Sequence, residues 1–228
     1  AGEHIVKELS LVRKSLVTIE RDVCTEQNKV EGRLNITAPK QFVQSVLVDI
    51  CHEFCQQYPL VKISIDSSYT PHDLTSTDFD LAFRATVNPP ENMIAKKLID
   101  YYYICCASPV YIEDKGSISD IAELTDKNHQ CLTGQAKGEW QFKSGVVNID
   151  GWLAINDNAL LKQEALKGRG IIQVPNYVVK QELAQGTLVE VLVLERAVGQ
   201  SIYVLQPQLI NSPLKVSTFV QFTKDFLT

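Results

Sequence analysis

Three predicted strands within the first 84 residues lead into residues that can bind an anion. Lys40 and Gln41 follow the strand pattern "RLNIT", Ser67 and Ser68 follow "LVKISID", and Arg84 ends "FDLAFR". Lys40 and Gln41 would open a helix, whose N-terminus offers unpaired N–H groups and the positive end of its dipole. An arginine can hold a carboxylate through two parallel hydrogen bonds. The set therefore favours a small anion, most simply an organic carboxylate, over a cation or a sugar.

Each of these residues also has an ordinary structural interpretation. A lysine near a helix start is commonly solvated, and serines commonly cap loops. Arg84 lies just before the turn-rich loop "TVNPPEN" and could instead pair with a carboxylate or a loop carbonyl. Arg84 therefore has two open interpretations: it could bind the ligand, or it could hold its own loop in place.

A second, weaker set of polar candidates lies further along the chain. Thr133 and Gly134 end or follow the strand pattern "HQCLT", and Gln173 lies near the end of "RGIIQVP". We expect these residues to face the ligand from a second lobe. Tyr101 and Tyr102 could wall the same cleft, although aromatic residues on a strand more often pack in a core.

The elements that must position these residues alternate between strands and helices, which predicts parallel βαβ units and an α/β fold. Ligands of such folds bind beyond the carboxyl ends of the strands. Two β-rich runs, at 92–108 and 201–206, enclose a self-contained set of strands and helices. We therefore predict two lobes joined by two crossings with a cleft between them. Subdomain I comprises 32–106 and 207–228, and subdomain II comprises 107–206.

Residues 1–31 differ from the rest of the chain in their sequence pattern. They contain no proline, and their apolar residues recur with a strict heptad spacing. Such a narrow seam is typical of a helix that pairs with another helix. A surface helix packed on its own domain is the alternative. We predict a long helix that dimerises through Ile5, Leu9, Val12, Leu16, Ile19 and Val23.

The bulk composition excludes several classes of protein. Apolar residues make up 45% of the 228 residues, which is typical of a globular chain. The net charge of −5, with no basic stripe, predicts that this chain alone binds nucleic acid poorly. No stretch has the length of a membrane span, and "AGEHIVKELS" does not resemble a signal peptide. We expect a cytoplasmic protein.

The six cysteines offer no metal site, because no CxxC occurs and the four histidines are scattered. Cys51 and Cys55 are four residues apart on a predicted helix, where the geometry rarely suits a disulfide. Cys105 and Cys106 are adjacent and would need a strained bridge. We predict reduced thiols with packing roles and no metal or other cofactor, with redox sensing as the alternative.

The order of several motifs resembles the regulatory half of LysR-type transcriptional regulators. The matching stretches, in the order of the family, are "GRLNITAP", "YPLVKISI", "DFDLAFR", "IAKKL", "ICCASPVYI", "GRGIIQVPNYVV", "LAQGTLVEVL" and "IYVLQP". They cover nearly all of residues 32–228. Residues 1–31 resemble the linker helix of the family, and the winged helix-turn-helix of the family is absent from this sequence.

This resemblance implies a two-lobed fold like that of type 2 periplasmic binding proteins, preceded by a linker helix. It implies that a small effector binds between the lobes and shifts the arrangement of a homodimer or homotetramer. DNA would be contacted only through the missing N-terminal domain, and RNA polymerase would be a partner of the full-length protein. A free solute-binding protein of a transporter is the first alternative. An enzyme on the same fold is the second, and no nucleophile–base pair supports it.

Overall fold

A computed structural model describes residues 29–67, 78–126, 129–197, 199–208 and 212–228. The predicted linker helix, with all six of its dimerisation residues, lies outside these ranges. Ser68 and most of the loop "SSYTPHDLTST" also lie outside them. Nothing in the described structure therefore tests the predictions made for these segments.

Strands and helices alternate along most of the described chain. The strands are β1 Gly32–Thr37, β2 Val61–Asp66, β3 Leu81–Thr86, β4 Met93–Tyr101, β5 Tyr103–Ala107, β6 Cys131–Thr133, β7 Gly138–Phe142, β8 Gly145–Ile149, β9 Leu153–Ala154, β10 Ile171–Pro175, β11 Val189–Val191 and β12 Gln200–Pro207. The helices are α1, which runs through Lys40–Phe42, Val43–Leu47 and Val48–Gln57, then α2 Pro109–Lys115, α3 Asn158–Leu166, α4 Lys180–Gln185 and α5 Leu214–Leu227. Single 3₁₀ turns occur at Ile121–Leu124, Asn176–Val178 and Val193–Glu195.

The chain divides into two compact units. The first contains the described residues up to Ile99 and those from Ser201 onward, and the second runs from Asp100 to Gln200. The predicted boundary after residue 106 falls inside β5, and the predicted boundary after residue 206 falls inside β12. Strand β5 pairs only in the second sheet and β12 only in the first, so each crossing between the units occurs one short strand earlier than predicted.

The sheet of the first unit has the strand order β2-β1-β3-β12-β4. Strand β1 is parallel to β2 and β3, whereas β12 is antiparallel to β3. The helices α1 and α5 pack on each other, with the rings of Phe54 and Phe219 4.9 Å apart in an edge-to-face contact. Phe42 and Phe83 are also fully buried and have ring centroids 5.4 Å apart. The contact of Phe42 with Phe83 packs the start of α1 on β3.

Helix α1 contains a π-helical segment, Val43–Leu47, directly after its first turn. Such wide turns are rare and occur frequently at functional sites. The segment keeps Val43 and Leu47 in the core while the helix continues to Gln57. The sequence carries no sign of it, because hydrophobic periodicity over five residues does not separate a π from an α turn.

The second unit is built on a sheet with the order β11-β5-β10-β6-β9, and on the separate hairpin β7–β8. Strands β10, β6 and β9 are parallel, and β5 is antiparallel to β10 and β11. One core cluster contains Trp140 and Phe142 of the hairpin, and another contains Leu161 of α3. The α/β class is as predicted, but both sheets are mixed rather than purely parallel.

Strand β5 begins after a break that the sequence does not show. The β-rich run at 92–108 has no turn signal in its sequence, yet in the structure it is divided at Tyr102. The backbone N–H of Tyr102 donates to the side-chain oxygen of Asn176 at 3.3 Å, and its carbonyl accepts from the backbone N–H of Asn176 at 3.0 Å. A residue 74 positions away therefore ends β4, which local sequence cannot reveal.

The backbone at position 170 requires glycine, which is the second glycine of the motif "GRG". Its φ of +151° is rarely adopted by residues with a side chain, and a Cβ there would lie 2.6 Å from the carbonyl oxygen of Gln130. The neighbouring N–H of Ile171 donates to that same carbonyl at 2.8 Å. The close approach lets β10 start directly beside β6.

Candidate functional site

Lys40 and Gln41 occupy the first turn of α1, immediately beyond the carboxyl end of β1. Pro39 precedes the helix, and no side chain caps it. The carbonyl of Pro39 accepts the backbone N–H groups of Phe42 and Val43 at 2.9 and 3.0 Å. Lys40 and Gln41 are half-buried. The structure therefore places both residues at the positive end of a long helix, as predicted.

The carboxyl ends of β1 and β2 lie side by side at the same edge of the first sheet. Thr37 and Asp66, the last residues of these strands, are opposite each other in the parallel register. Ser67 follows Asp66 directly and is exposed, so its hydroxyl can reach solvent at this edge. This register agrees with the prediction that Lys40 and Ser67 follow neighbouring strands at the same edge of the sheet.

Arg84 reaches this edge from β3 and contacts it with its guanidinium group. Its Nη2 donates to Oγ1 of Thr37 at 2.9 Å, and its Nη1 donates to the carbonyl of Phe83 at 2.8 Å. Burial lowers the pKa of Arg84, and the negative charge of Asp66 partly offsets that effect. These contacts agree with the structural interpretation of Arg84. The side chain holds the end of β1, however, and not the loop that follows β3.

Arg84 was predicted to end its strand, but β3 continues to Thr86. The antiparallel neighbour β12 extends the pairing, with Tyr203 opposite Arg84 and Ser201 opposite Thr86. Arg84 still lies beyond the end of β1, because Thr37 is opposite Ala82. The two residues that Arg84 contacts or faces, Thr37 and Asp66, were missed by the sequence analysis. Their position as last residues of adjacent strands was the signal that could have identified them.

In the second unit, Thr133 is fully buried at the end of β6. Its hydroxyl donates to the carbonyl of Gln135 at 2.7 Å, which closes the turn after the strand. Gly134, the next residue, is exposed, and a Cβ there would meet no other atom within 4 Å. Thr133 thus shapes the turn, whereas Gly134 leaves open space above it.

Gln173 lies in the middle of β10, not near its end as predicted. Its side-chain amide makes the two hydrogen bonds that a neighbouring strand would make. Oε1 accepts the backbone N–H of Gln141 and Nε2 donates to the carbonyl of Gln141, each at 2.8 Å. The Nε2 group also lies 3.7 Å from the sulfur of Cys105. The amide of Gln173 therefore attaches the hairpin β7–β8 to the central sheet.

Tyr101 packs in a core, which confirms the preferred interpretation of this residue. It is 3% exposed, and its ring makes edge-to-face contacts with Tyr103 and Tyr177. Its hydroxyl donates to Oε1 of Gln200 at 2.8 Å. Tyr102 is only half-buried, and the guanidinium of Arg196 lies 4.9 Å from its ring centre.

The thiols of the described chain are held in the protonated form. Burial raises the pKa of Cys51, Cys106 and Cys131 to about 12, and it also raises the pKa of Cys55 and Cys105. Reactive cysteines need a lowered pKa, since the thiolate is the nucleophile. The environments of these five thiols do not favour redox sensing.

Among the residues that the structure describes, no group of three or more histidine, cysteine, aspartate or glutamate side chains is arranged to hold a metal ion. Within the same ranges, no helix combines the length and the apolar character needed to span a bilayer.

Residues 27–228 match the family model of the LysR substrate binding domain. The chain belongs to the LysR family. It contains the effector-binding regulatory domain of a LysR-type transcriptional regulator, which confirms the resemblance seen in the motif order and the α/β class predicted from the alternation of strands and helices.

The curated relatives of this LysR regulatory domain are transcriptional regulators. PtxR of Pseudomonas aeruginosa is 28% identical over 213 residues, which cover 90% of this chain and 68% of PtxR. The activator TtdR of Escherichia coli is 26% identical over 209 residues, which cover 88% of this chain and 66% of TtdR. The chain thus spans about two thirds of the length of these relatives.

Solved structures of LysR-type regulators have the same fold. A full-length variant of AphB superposes with a TM-score of 0.83 at 26% identity, covering 98% of this chain and 78% of that chain. The regulatory domain of AphB in Vibrio vulnificus gives a TM-score of 0.76 at 25% identity, covering 86% of this chain and 99% of that chain.

Proposed function

We propose that this regulatory domain senses a small organic anion, most simply a carboxylate, which binds at the carboxyl edge of the first sheet. Lys40 is the residue that carries the proposal, because it lies in the first turn of α1, where no side chain caps the helix. A lysine ammonium and the positive end of a long helix both attract an anion. Gln41 and Ser67 would add hydrogen bonds to the ligand.

Arg84 has a different role in this proposal. Its two terminal nitrogens already donate to Phe83 and Thr37, and Asp66 contributes a compensating negative charge nearby. Arg84 would therefore hold the end of β1 in place and add a positive field, with Lys40 making the closer contact. In the second unit, Gly134 offers open space for a ligand, whereas the polar groups of Thr133 and Gln173 already serve turns and the hairpin.

Calorimetry with a panel of small carboxylates, each paired with the alcohol of the same carbon skeleton, tests the proposal. We expect the carboxylate to bind and the alcohol to fail. The Lys40→Ala variant should bind the carboxylate about ten- to a hundredfold more weakly, since a hydrogen bond to a charged group is worth about 1.5–3 kcal/mol. Lys62→Ala, which changes an exposed lysine on β2, is the matched control and should bind as the wild type does.

A carboxylate that binds equally well to the wild type and to Lys40→Ala would show that the ligand lies elsewhere. A ligand panel in which only neutral sugars bind would contradict the proposed charge of the effector.

For the whole protein we infer a cytoplasmic homo-oligomer that is not an enzyme and that contacts DNA through a winged helix-turn-helix outside this sequence. RNA polymerase would be a further partner of that protein. The relatives named above are transcriptional regulators, which supports this inference over a transport protein. The described thiols have raised pKa values, which weighs against a cysteine-based sensor.

A further inference from the structure

A cavity of about 480 Å³ lies within the second unit, apart from every residue assigned to the effector. Its walls come from α2 and the loop after it on one side, and from β11 and the following 3₁₀ turn on the other. Ile112, Ile118, Val191 and Leu192 give it an apolar lining. Its volume is in the range of pockets that bind small molecules, about 300–1,000 Å³.

One wall of the cavity carries a carboxylate with an oxygen that has no hydrogen-bond partner among the described residues. Glu195 lines the cavity, and its Oε2 is shielded from solvent without a hydrogen-bond partner among the described residues. A buried acceptor that makes no hydrogen bond is unfavourable. The other acid of this wall, Glu190, is different, because Nε of Arg196 donates to it at 2.6 Å and Nη2 of Arg196 donates to its second oxygen.

The opposite wall is held rigidly by hydrogen bonds. Oε1 of Glu123 accepts from the backbone N–H and the hydroxyl of Ser119, at 3.0 and 2.9 Å, and from the backbone N–H of Asp120 at 2.9 Å. These bonds lower the pKa of Glu123 and attach Ser119, which lines the cavity, to the 3₁₀ turn Ile121–Leu124.

The backbone at the floor of the cavity is strained. Leu192 has φ 54° and ψ 40°, and it is the only residue other than glycine with a positive φ in the described ranges. A leucine in this conformation costs free energy, and such residues cluster at functional sites. Leu192 lies between the end of β11 at Val191 and the 3₁₀ turn Val193–Glu195, and both Leu192 and Glu195 line the cavity.

From these observations we propose that the cavity is a second ligand site, which takes a small organic ammonium ion with an apolar body. The ammonium group would pair with the carboxylate of Glu195, and the apolar body would pack on Ile112, Ile118 and Leu192. The hydroxyl of Ser117 at the rim is available as a further acceptor. A cationic ligand here would be distinct in charge from the anionic effector proposed for the first unit.

The test measures binding of n-alkylamines and benzylamine to the chain by chemical-shift mapping and calorimetry, beside the matching alcohols and carboxylates. We expect the amines to bind and the alcohols to bind at least about tenfold more weakly, because they lack the charge-assisted bond. Glu195→Gln, which keeps the shape of the side chain, should weaken amine binding about ten- to a hundredfold.

Two further variants test whether amine binding needs the cavity or depends only on the negative charge of the chain. Ser117→Trp changes an exposed position at the rim and should block amine binding without lowering the melting temperature. Glu139→Gln removes an exposed carboxylate from β7, outside the cavity, and should leave amine binding unchanged. Lys40→Ala, which is designed to weaken an anionic effector, should also leave it unchanged.

The proposal is overturned if amines fail to bind at millimolar concentration, or if they bind equally to the wild type and to Ser117→Trp. It is also overturned if light scattering shows self-association that both Ser117→Trp and Glu195→Gln abolish, because the cavity would then be covered by a second copy of the chain. Should Glu195→Gln fail to fold, Ser117→Trp alone decides the outcome.

Discussion

At the scale of single residues, Arg84 joins two strands that are neighbours in space and far apart in sequence. Replacing it with alanine would remove the hydrogen bond to the hydroxyl of Thr37, which is fully buried, and the positive charge near Asp66. We expect Arg84→Ala to lower the free energy of unfolding by about 1–3 kcal/mol, the usual cost of leaving buried polar groups unpaired. Urea denaturation followed by circular dichroism measures it.

Arg33→Ala is the matched control for this variant, since Arg33 is an exposed arginine on β1 of the same sheet. It should change the free energy of unfolding by less than about 0.5 kcal/mol. A double-mutant cycle with Thr37→Val isolates the contact, because contacting residues show a coupling energy that distant residues lack. Additive effects of Arg84→Ala and Thr37→Val would refute the assigned contact.

Arg84 also shows how far sequence reasoning reaches at a candidate site. The strand alternation placed Arg84 and Lys40 near one sheet edge, because parallel strands share their carboxyl ends. The same pattern places Thr37 and Asp66 at that edge as the last residues of their strands, but it does not show that the side chain of Arg84 turns toward Thr37, because that contact joins residues 47 positions apart. The sequence also did not show that Gln173 lies in the middle of β10 or that its side chain contacts Gln141.

At the scale of elements, the hairpin β7–β8 depends on the side chain of Gln173. We expect Gln173→Ala to remove two hydrogen bonds and to speed amide exchange across Gly138–Phe142 and Gly145–Ile149, while β10 keeps its own protection. The free energy of unfolding should fall by about 1–3 kcal/mol. Hydrogen–deuterium exchange read by mass spectrometry locates the change.

Gln141→Ala is the control, because Gln173 contacts only the backbone of Gln141, which alanine retains. This variant should exchange like the wild type. If Gln173→Ala leaves the hairpin protected but weakens effector binding, Gln173 belongs to the ligand site instead.

The sequence predicted most elements, and the exceptions have physical causes. The pattern "DNALLKQEALKG" predicts helix α3 with Asp157 near its start, and in the structure the carboxylate of Asp157 accepts the backbone N–H of Ala159 at 2.9 Å as an N-cap. The break at Tyr102 depends on Asn176, and the mixed direction of both sheets depends on which strands pair. Neither is encoded in a local pattern.

At the scale of the whole molecule, the protonated thiols make stability depend on alkaline pH. In the unfolded chain a thiol loses its proton near its ordinary pKa of 9.0, whereas the folded state keeps the proton of Cys106 up to about 12. Between these values the folded state binds more protons, so the free energy of unfolding falls as the pH rises. Cys106→Ala should show a smaller fall in urea titrations at about pH 8 and about pH 10.

A steeper fall in Cys106→Ala than in the wild type would contradict this assignment. Labelling of the native protein with a thiol reagent gives an independent check, because the buried thiols should react slowly until urea exposes them.

The heptad segment of residues 1–31 makes a prediction about assembly. We expect the intact chain to form dimers or tetramers, and a chain starting at Gly32 to form smaller particles, because the apolar seam would be lost. Light scattering over a range of concentrations compares the two. Identical masses would show that the seam packs within its own chain.

The strand order of the first sheet has a consequence for how the protein is made. Strand β12 lies between β3 and β4, yet it is synthesised about a hundred residues after them. The second unit is one uninterrupted segment from Asp100 to Gln200 and can fold as soon as it leaves the ribosome. The first sheet must wait with open strand edges until β12 emerges. A nascent chain that stalls before Ser201 therefore has a complete second unit and a first unit whose exposed β3 and β4 invite aggregation or chaperone binding.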